Sequence, residues 1–256
     1  MMDILYIIGN GNSKCDNKEL RYSLRSVQKY GKGVGRVFVA GFCPDWLSDE
    51  VVKVPFTQPY NTLAEEFSSR PGLTLKFANV LATILYVVDN TDISEEFLIS
   101  MDDHFYTRPV DFANYPFYAK EGKDKELPEV GKSPYGRVMA ETRKFLEKRR
   151  LPILYLTIHR NMHCSKKIVE ECRKTLDKCV KEALPVEPLC YMLNYWYKKY
   201  GFDITYAKDV KVRNESDWLL TMPSYTEVFS TADFKPMSRL DVLIGELYSK
   251  KSKYEK

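Results

Sequence analysis

Residues 96–106 read EFLISMDDHFY, and this stretch indicates the fold. A short, mostly apolar run that favours β-structure leads into two adjacent carboxylates, Asp102 and Asp103, and the imidazole of His104. This pattern is typical of a buried strand in an open α/β sheet, where ligands bind at the carboxyl ends of the strands. Adjacent carboxylates repel each other, and a divalent metal that holds a diphosphate would relieve this repulsion. The alternative is an acidic turn without a ligand, because Asp-Asp pairs are common in turns.

The composition is that of a soluble globular protein. The 256 residues are 44% hydrophobic and 29% charged, which is enough for one large α/β domain, with or without a small appendage. The net charge of +4 is too weak to argue for nucleic acid, so we expect no nucleic-acid partner. Basic residues outnumber acidic ones between residues 141 and 182, and this surface is either solvated or in contact with phosphates.

The cysteines and the start of the chain bear on its surroundings. The six cysteines form no Cys-x-x-Cys pair, which argues against a zinc site of the usual spacing. The first residues lack a positively charged segment, and their apolar run, residues 4–8, is too short for a signal peptide or a membrane span. We therefore expect no transmembrane segment and a cytoplasmic location, with peripheral attachment to a membrane left open.

The order of predicted elements favours a doubly wound, mostly parallel sheet flanked by helices, with a helical C-terminal part. Predicted strands cover residues 4–8, 36–40, 51–56 and 97–101, and predicted helices cover residues 17–30 and 74–88. Residues 111–136 are predicted to form a long loop or a small excursion from the sheet-and-helix pattern. The remaining predictions are helices over residues 138–149, 165–183, 187–200 and 240–248, and strands over 153–158 and 204–212.

Two further groups of side chains are candidates for chemistry. His159 and His163 follow a predicted strand and could share a metal if they lay on a helix; the alternative is a surface or hydrogen-bonding role. Arg21 and Arg25 share one helical face beside the turn after the first strand, which contains Asn10. Guanidinium groups match phosphate oxygens, whereas the alternative is an exposed face paired with Glu19.

Several motifs resemble the Stealth family of capsular polysaccharide phosphotransferases, which is related to the lysosomal-enzyme N-acetylglucosamine phosphotransferase. Residues 16–30, DNKELRYSLRSVQKY, and the following RVFV and PDWL closely resemble a conserved region of that family. Residues 100–110, SMDDHFYTRPV, are similar to its LNDDFFFGRPV segment. Residues 229–233 and 247–256 resemble its closing region, and residues 159–167 resemble its histidine-containing region.

The resemblance implies a GT-A-like fold of nucleotide-sugar transferases that uses a divalent metal. Members of the family transfer a hexose-1-phosphate from a nucleotide-sugar such as UDP-N-acetylglucosamine to a sugar hydroxyl. Carried over by position, it implies roles for three groups of residues. We expect catalytic roles for His159, Asp103 and Asp233, metal contacts from Asp102, Asp103 and His104, and substrate contacts from Arg21, Arg25, Asn10 and His163. For the two arginines, support of the helix is the alternative.

The predicted protein is thus a single GT-A-like transferase domain that depends on Mg²⁺ or Mn²⁺. Its nucleotide-sugar part would cover residues 1–110, and its acceptor side and helical part residues 111–256. The expected donor is a UDP-sugar and the expected acceptor a saccharide, with transfer of hexose-1-phosphate. The alternatives are a GT-A glycosyltransferase that moves the sugar itself, and a non-catalytic module that binds a nucleotide-sugar.

Overall fold

A five-stranded sheet forms the centre of the computed structural model, which describes residues 1–9, 15–60, 72–221, 227–231 and 238–256. Asn10 and Asp233 lie outside the described residues. The strands, in spatial order, are β4 (Val51–Pro55), β3 (Val34–Gly41), β1 (Met2–Ile8), β5 (Glu96–Ser100) and β9 (Met162–Ser165). The first four are parallel, and β9 is antiparallel to β5. The prediction of a mostly parallel α/β sheet is confirmed.

Helices cover both faces of this sheet because successive side chains of each strand point to opposite sides. Ile4 and Tyr6 of β1 belong to the apolar cluster that includes Leu24 of helix α1 (Lys18–Tyr30). Leu5 and Ile7, from the same strand, pack in the cluster that includes helix α2 (Gly72–Asn90). A strand buried on both faces reads as a continuous apolar run, which is what residues 4–8 show.

The strand order reverses beside β1, and this places the exits of β1 and β5 next to each other. From β1 the chain moves outward to β3 and β4, and then returns to add β5 on the other side of β1. Tyr6 of β1 pairs with Ser100 of β5, so the chain leaves both strands at nearly the same level. In open α/β sheets such a reversal opens a crevice at the carboxyl ends of the strands, where ligands bind. Asp102 and Asp103 follow directly.

A small three-stranded sheet extends this edge. It joins β11 (Lys211–Val212), β12 (Val228–Thr231) and β6 (His104–Tyr106) in that order. The register aligns Lys211 with Ser230 and Ser230 with His104. Paired residues have their side chains on the same face of a sheet, so this sheet brings Lys211 close to the residues that follow β5.

The remaining elements complete the molecule. Two short parallel pairs form between β2 (Gly31–Lys32) and β7 (Val110–Asp111), and between β8 (Phe117–Lys120) and β10 (Ile204–Ala207). The helices of the second half are α3 (Pro134–Lys148), α4 (Lys166–Glu182), α5 (Pro188–Tyr200), α6 (Glu215–Thr221) and α7 (Arg239–Leu247). No helix in the described part of the chain combines the length and apolarity needed to cross a bilayer.

Two predictions of secondary structure were wrong. Residues 153–158 form only a single bridge, between Leu154 and Glu126, because on the side away from Glu126 the side-chain amide of Asn194 pairs with the N–H and C=O of Leu154. Residues 204–212 form two short strands rather than one. Residues 111–136 contain short strands and a 3-10 turn at Gly122–Asp124.

Candidate active site

The two predicted carboxylates occupy the turn at the exit of β5, and both are partly buried. The carboxylate of Asp103 lies between two nitrogen groups. Its Oδ1 is 3.9 Å from Nε2 of His104, and its Oδ2 is 4.0 Å from Nζ of Lys211. The sheet register described above explains this approach, because Lys211 and His104 flank Ser230 on one face. The turn therefore joins acidic and basic groups at the crevice.

His104 is almost fully buried, and its ring nitrogens are not satisfied by the described residues. Neither nitrogen has a hydrogen-bond partner of normal geometry there, and the same holds for the Asn161 amide and the Ser230 hydroxyl. Burial, together with the nearby His159, lowers the pKa of His104 to about 3, so the ring is neutral at pH 7. Buried polar atoms are normally paired, and such a group marks a place that suits water, an ion or a ligand.

His159 is held by a carboxylate that the sequence analysis did not identify. Its Nδ1 lies 2.8 Å from Oδ1 of Asp209, and its backbone N–H donates to the same oxygen at 2.9 Å. Burial acts to raise the pKa of Asp209, but the hydrogen bonds from His159 outweigh it and keep this pKa below its ordinary value. A histidine oriented by a carboxylate through one nitrogen has the arrangement of a general base acting through the other.

His159, Asp209 and Lys211 line one cavity of about 640 Å³, which we call the His159 cavity. The rings of His159 and His104 lie edge to face, with their centroids 6.4 Å apart, so the cavity adjoins the acidic turn. The other charged side chains that line it include more cations than carboxylates: Lys120, Lys208 and Arg213, against Glu121 and Asp217. This excess of positive charge suits an anionic ligand.

The side chains at the turn fit a hard divalent cation. Mg²⁺ is commonly held by one or two carboxylates together with substrate phosphates and water, and Asp102 and Asp103 supply two carboxylates. The Nε2 of His104, the third predicted metal contact, lies 3.9 Å from Asp103. However, the described residues contain no cluster of three or more His, Cys, Asp or Glu side chains with metal-binding geometry.

The two arginines of α1 bind carboxylates of this chain. Arg25 donates from Nε and Nη2 to the two carboxylate oxygens of Glu255 at 2.8 and 2.7 Å, and from Nη1 to the carbonyl of Tyr248 at 3.0 Å. Arg21 donates to Asp16 at 2.7 Å and lies 4.4 Å above the ring of Trp46. This geometry favours the helix-support alternative for Arg25. Arg21 lies beside Asp16, which precedes α1.

His163 lies in the core and does not line the His159 cavity. It belongs to β9, pairs with Leu98 of β5 and is hydrogen-bonded through Nε2 to the carbonyl of Tyr115 at 2.8 Å. Its ring stacks on Phe117 with the centroids 3.8 Å apart. Burial lowers the pKa of His163 to about 4. The structure therefore separates His163 from His159, and its predicted contact with substrate has no geometric support.

Sequence reasoning missed Asp209 and Lys211. Asp209 interrupts the predicted strand over residues 204–212, and an aspartate inside an apolar β-pattern is a turn signal that could have divided this strand. Lys211 carried no comparable signal, because its position depends on the pairing of β11 with β12.

The fold is shared with a solved glycosyltransferase structure. The structure matches the galactosyltransferase LgtC, both as an active-site mutant and in complex with donor and acceptor sugar analogues. Each match has a TM-score of 0.50 and covers 98% of this chain and 96% of LgtC, at 13% sequence identity. The fold is that of a GT-A glycosyltransferase, as predicted.

Part of this chain is similar in sequence to two exopolysaccharide phosphotransferases. The chain is 33% identical over 96 residues to the exopolysaccharide phosphotransferase CpsY of Mycobacterium leprae (strain TN), and 34% identical over 94 residues to an exopolysaccharide phosphotransferase of Nocardia farcinica (strain IFM 10152). Each match covers 36% of this chain and 16% or 17% of the relative, so it spans a small part of these proteins. No protein-family model matches the chain. The predicted resemblance to polysaccharide phosphotransferases is confirmed over this third of the chain.

Proposed function

We propose that this chain is a transferase that moves a hexose-1-phosphate from a nucleotide-sugar to a hydroxyl group of a saccharide. The observation that supports this most is the pairing of His159 with Asp209 in the same cavity as Lys211, which in turn lies 4.0 Å from Asp103. In this proposal the base His159, the cation Lys211 and the Asp103 carboxylate act together at the strand reversal. The resemblance to exopolysaccharide phosphotransferases supports the choice of the transferred group.

The chemistry follows from the atoms of these side chains. Because Nδ1 of His159 is occupied by Asp209, its Nε2 accepts the proton of the acceptor hydroxyl. The hydroxyl oxygen bonds to the β-phosphorus of the donor while the bond from this phosphorus to the bridging oxygen breaks, and a nucleoside monophosphate leaves. Asp209 stabilises the imidazolium that forms, and Lys211 offsets the negative charge of the leaving phosphate.

Asp102 and Asp103 would hold a Mg²⁺ or Mn²⁺ ion in this proposal. When bound, such an ion supplies positive charge to the donor diphosphate. The proposed donor is a UDP-sugar, bound by the part formed by residues 1–110, and the proposed acceptor contacts the part formed by residues 111–256. Arg21 remains a candidate for contact with the donor, because its partner Asp16 is an exposed carboxylate near the start of α1.

A second candidate is transfer of the sugar itself, which the structural match to a galactosyltransferase favours. The same residues would serve it. His159 would again accept the proton of the acceptor hydroxyl, but the hydroxyl oxygen would attack the anomeric carbon of the donor. A nucleoside diphosphate would then leave.

The leaving nucleotide distinguishes the two reactions. The protein is incubated with UDP-N-acetylglucosamine and Mn²⁺, with and without a mixture of saccharide acceptors, and the nucleotides are separated by ion-exchange chromatography. Release of UMP that is lost in Asp103→Asn is the expected result and supports phosphotransfer. Release of UDP overturns it in favour of glycosyl transfer. Tight binding of the donor with neither product, across donors and acceptors, identifies a non-catalytic module.

A further inference from the structure

A second cavity lies between the end of α3 and α5. It has a volume of about 420 Å³ and is lined by Arg149, Leu151, Tyr191, Tyr195, Lys198 and Lys199. We call it the tyrosine cavity. It is distinct from the His159 cavity, and the proposed reaction does not use it. It includes part of the basic segment that the sequence analysis identified between residues 141 and 182, because Arg149 forms one side of its rim.

We propose that the tyrosine cavity binds a phosphate-bearing saccharide at a site separate from the site of transfer. Tyrosine rings and Leu151 form an apolar surface, and cations stand at its edge. A pyranose ring has one face rich in C–H groups that packs on an aromatic ring, and its phosphate pairs with lysine or arginine. The choice of a saccharide rests on the proposed function, whereas the choice of an anionic ligand rests on the cavity itself.

The three cations of the rim are exposed, and each contacts a neighbouring group. The guanidinium of Arg149 lies 3.5 Å from the centroid of the Phe145 ring and donates to the Phe145 carbonyl at 3.2 Å. Lys198 donates to the carbonyl of Arg150 at 2.7 Å. Lys199 is 2.9 Å from Glu171. Because these side chains are accessible from solvent, an anion can reach them without a change in the core.

The charge balance of the rim matches one phosphate group. Three cations face a single adjacent carboxylate, Glu171, and neither Arg149 nor Lys198 forms an ion pair with any residue that the structure describes. The remaining two positive charges equal the charge of one phosphate monoester, which is about −1.5 to −2 at neutral pH. The volume is that of a small-molecule site. A single-stranded nucleic acid would need an extended basic groove with several aromatic platforms, so the saccharide is the better match.

Binding measured by titration calorimetry tests the proposal. The probes are N-acetylglucosamine 6-phosphate, N-acetylglucosamine, inorganic phosphate and a single-stranded DNA oligonucleotide. We expect the sugar phosphate to bind, and its affinity to fall at least tenfold in the Arg149→Gln/Lys198→Gln variant. Tyr195→Ala should weaken binding several-fold, and Tyr195→Phe should retain it. The matched control is Lys144→Gln, which removes an α3 cation that is paired with Glu141 outside the cavity.

Four outcomes overturn the proposal. The first is that the sugar phosphate does not bind, and the second is that its affinity is unchanged in Arg149→Gln/Lys198→Gln. The third is that Lys211→Gln abolishes all binding, which would place the only site in the His159 cavity. The fourth is that the DNA binds more tightly than the sugar phosphate and that this binding is lost in the double variant. Inorganic phosphate that binds as tightly as the sugar phosphate overturns the saccharide assignment. Because no turnover is measured, failure of the transfer reaction and failure of this site give different results. Melting curves confirm that each variant is folded.

Discussion

Two regions of the molecule contain cationic side chains next to carboxylates, but the cations are paired within the chain in one region and line a cavity in the other. In the first, which we call the arginine clamp, Arg25 is bound to Glu255 and to the carbonyl of Tyr248. Its charge is neutralised within the chain. In the His159 cavity, Lys211 and further cations line open space next to a carboxylate-held imidazole. A cation satisfied by its own chain stabilises the fold, whereas cations around a cavity are placed to meet a ligand.

The largest expected effect comes from the acidic turn beside the His159 cavity. Asp103→Asn should lower kcat/KM by at least about a thousandfold, which corresponds to about 4 kcal/mol of activation free energy. The reason is that the variant keeps only one of the two carboxylates, that of Asp102, at the turn. The variant should keep its melting temperature within a few degrees. The matched control is Asp45→Asn, an exposed carboxylate between β3 and β4. Full activity of Asp103→Asn with unchanged dependence on metal would contradict the assignment of the site.

The next effect concerns the base and the residue that positions it. His159→Ala should reduce kcat by about 10² to 10⁴, the usual range for a general base. Asp209→Asn should reduce kcat less, by about tenfold to a hundredfold, because the imidazolium loses the carboxylate that orients and stabilises it. Asp217→Asn changes a carboxylate of the same cavity that accepts from the backbone N–H of Arg213 and serves as the control. Equal kcat values for Asp209→Asn and Asp217→Asn would remove Asp209 from the mechanism.

Arg25→Met should affect stability rather than chemistry. The change leaves the buried carboxylate of Glu255 without its main cation, which costs about 3 kcal/mol of unfolding free energy. The double variant Arg25→Met/Glu255→Met should recover most of this loss, because both charges are removed together. Urea titrations measure both. A rise in the KM for the donor in the double variant, at restored stability, would instead show that Arg25 contacts phosphate.

A further expected effect, spread over several pH units, is a pH dependence of stability that arises in the core. Burial lowers the pKa of His163 to about 4 from its ordinary value of 6.5, so the unfolded chain takes up this proton first as the pH falls. The stability present above pH 6.5 is therefore lost as the pH falls towards 4, by at most about 1.4 kcal/mol per pH unit. His163→Gln should flatten this slope.

Glu187 changes stability with pH in the direction opposite to His163, so the contributions of these two residues can be measured separately. Burial raises its pKa to about 7 from 4.5, so its contribution is present below pH 4.5 and is lost as the pH rises towards 7. Glu187→Gln should therefore steepen the rise in stability between pH 4.5 and 6.5. Unfolding curves at these two pH values measure both variants, and identical slopes in all three proteins would contradict both assignments.

The central sheet could be predicted from the sequence because its determinants are local. Each parallel strand, buried on both faces, appears as a short apolar run, and the helix α1 between two of them has regular apolar spacing at Leu20, Leu24 and Val27. The placement of Asp102 and Asp103 followed from the same reasoning, since strand ends of this kind carry ligands. These parts of the prediction depend on residues close together in the chain.

The rest of the site could not be predicted because it depends on pairings between distant residues. Asp209 reaches His159 across 50 positions, and Glu255 reaches Arg25 across 230. No local pattern distinguishes an arginine that meets a carboxylate from one that meets a phosphate. The failed strand at residues 153–158 has the same origin, because the amide of Asn194 lies 40 positions away from Leu154.

The arginine clamp also has a consequence for how the chain folds. Residues 252–256 lie against the first βα unit: the backbone N–H of Ser48 bonds the carbonyl of Tyr254, and that of Lys256 bonds the carbonyl of Trp46. Contacts that join positions more than 200 residues apart close very long loops, so they raise the contact order and slow folding. A chain that has been synthesised only as far as its four parallel strands still lacks residues 252–256, which cover α1. Docking of residues 252–256 is therefore a late step, and a fragment that ends before them would fold with an uncovered, charged edge.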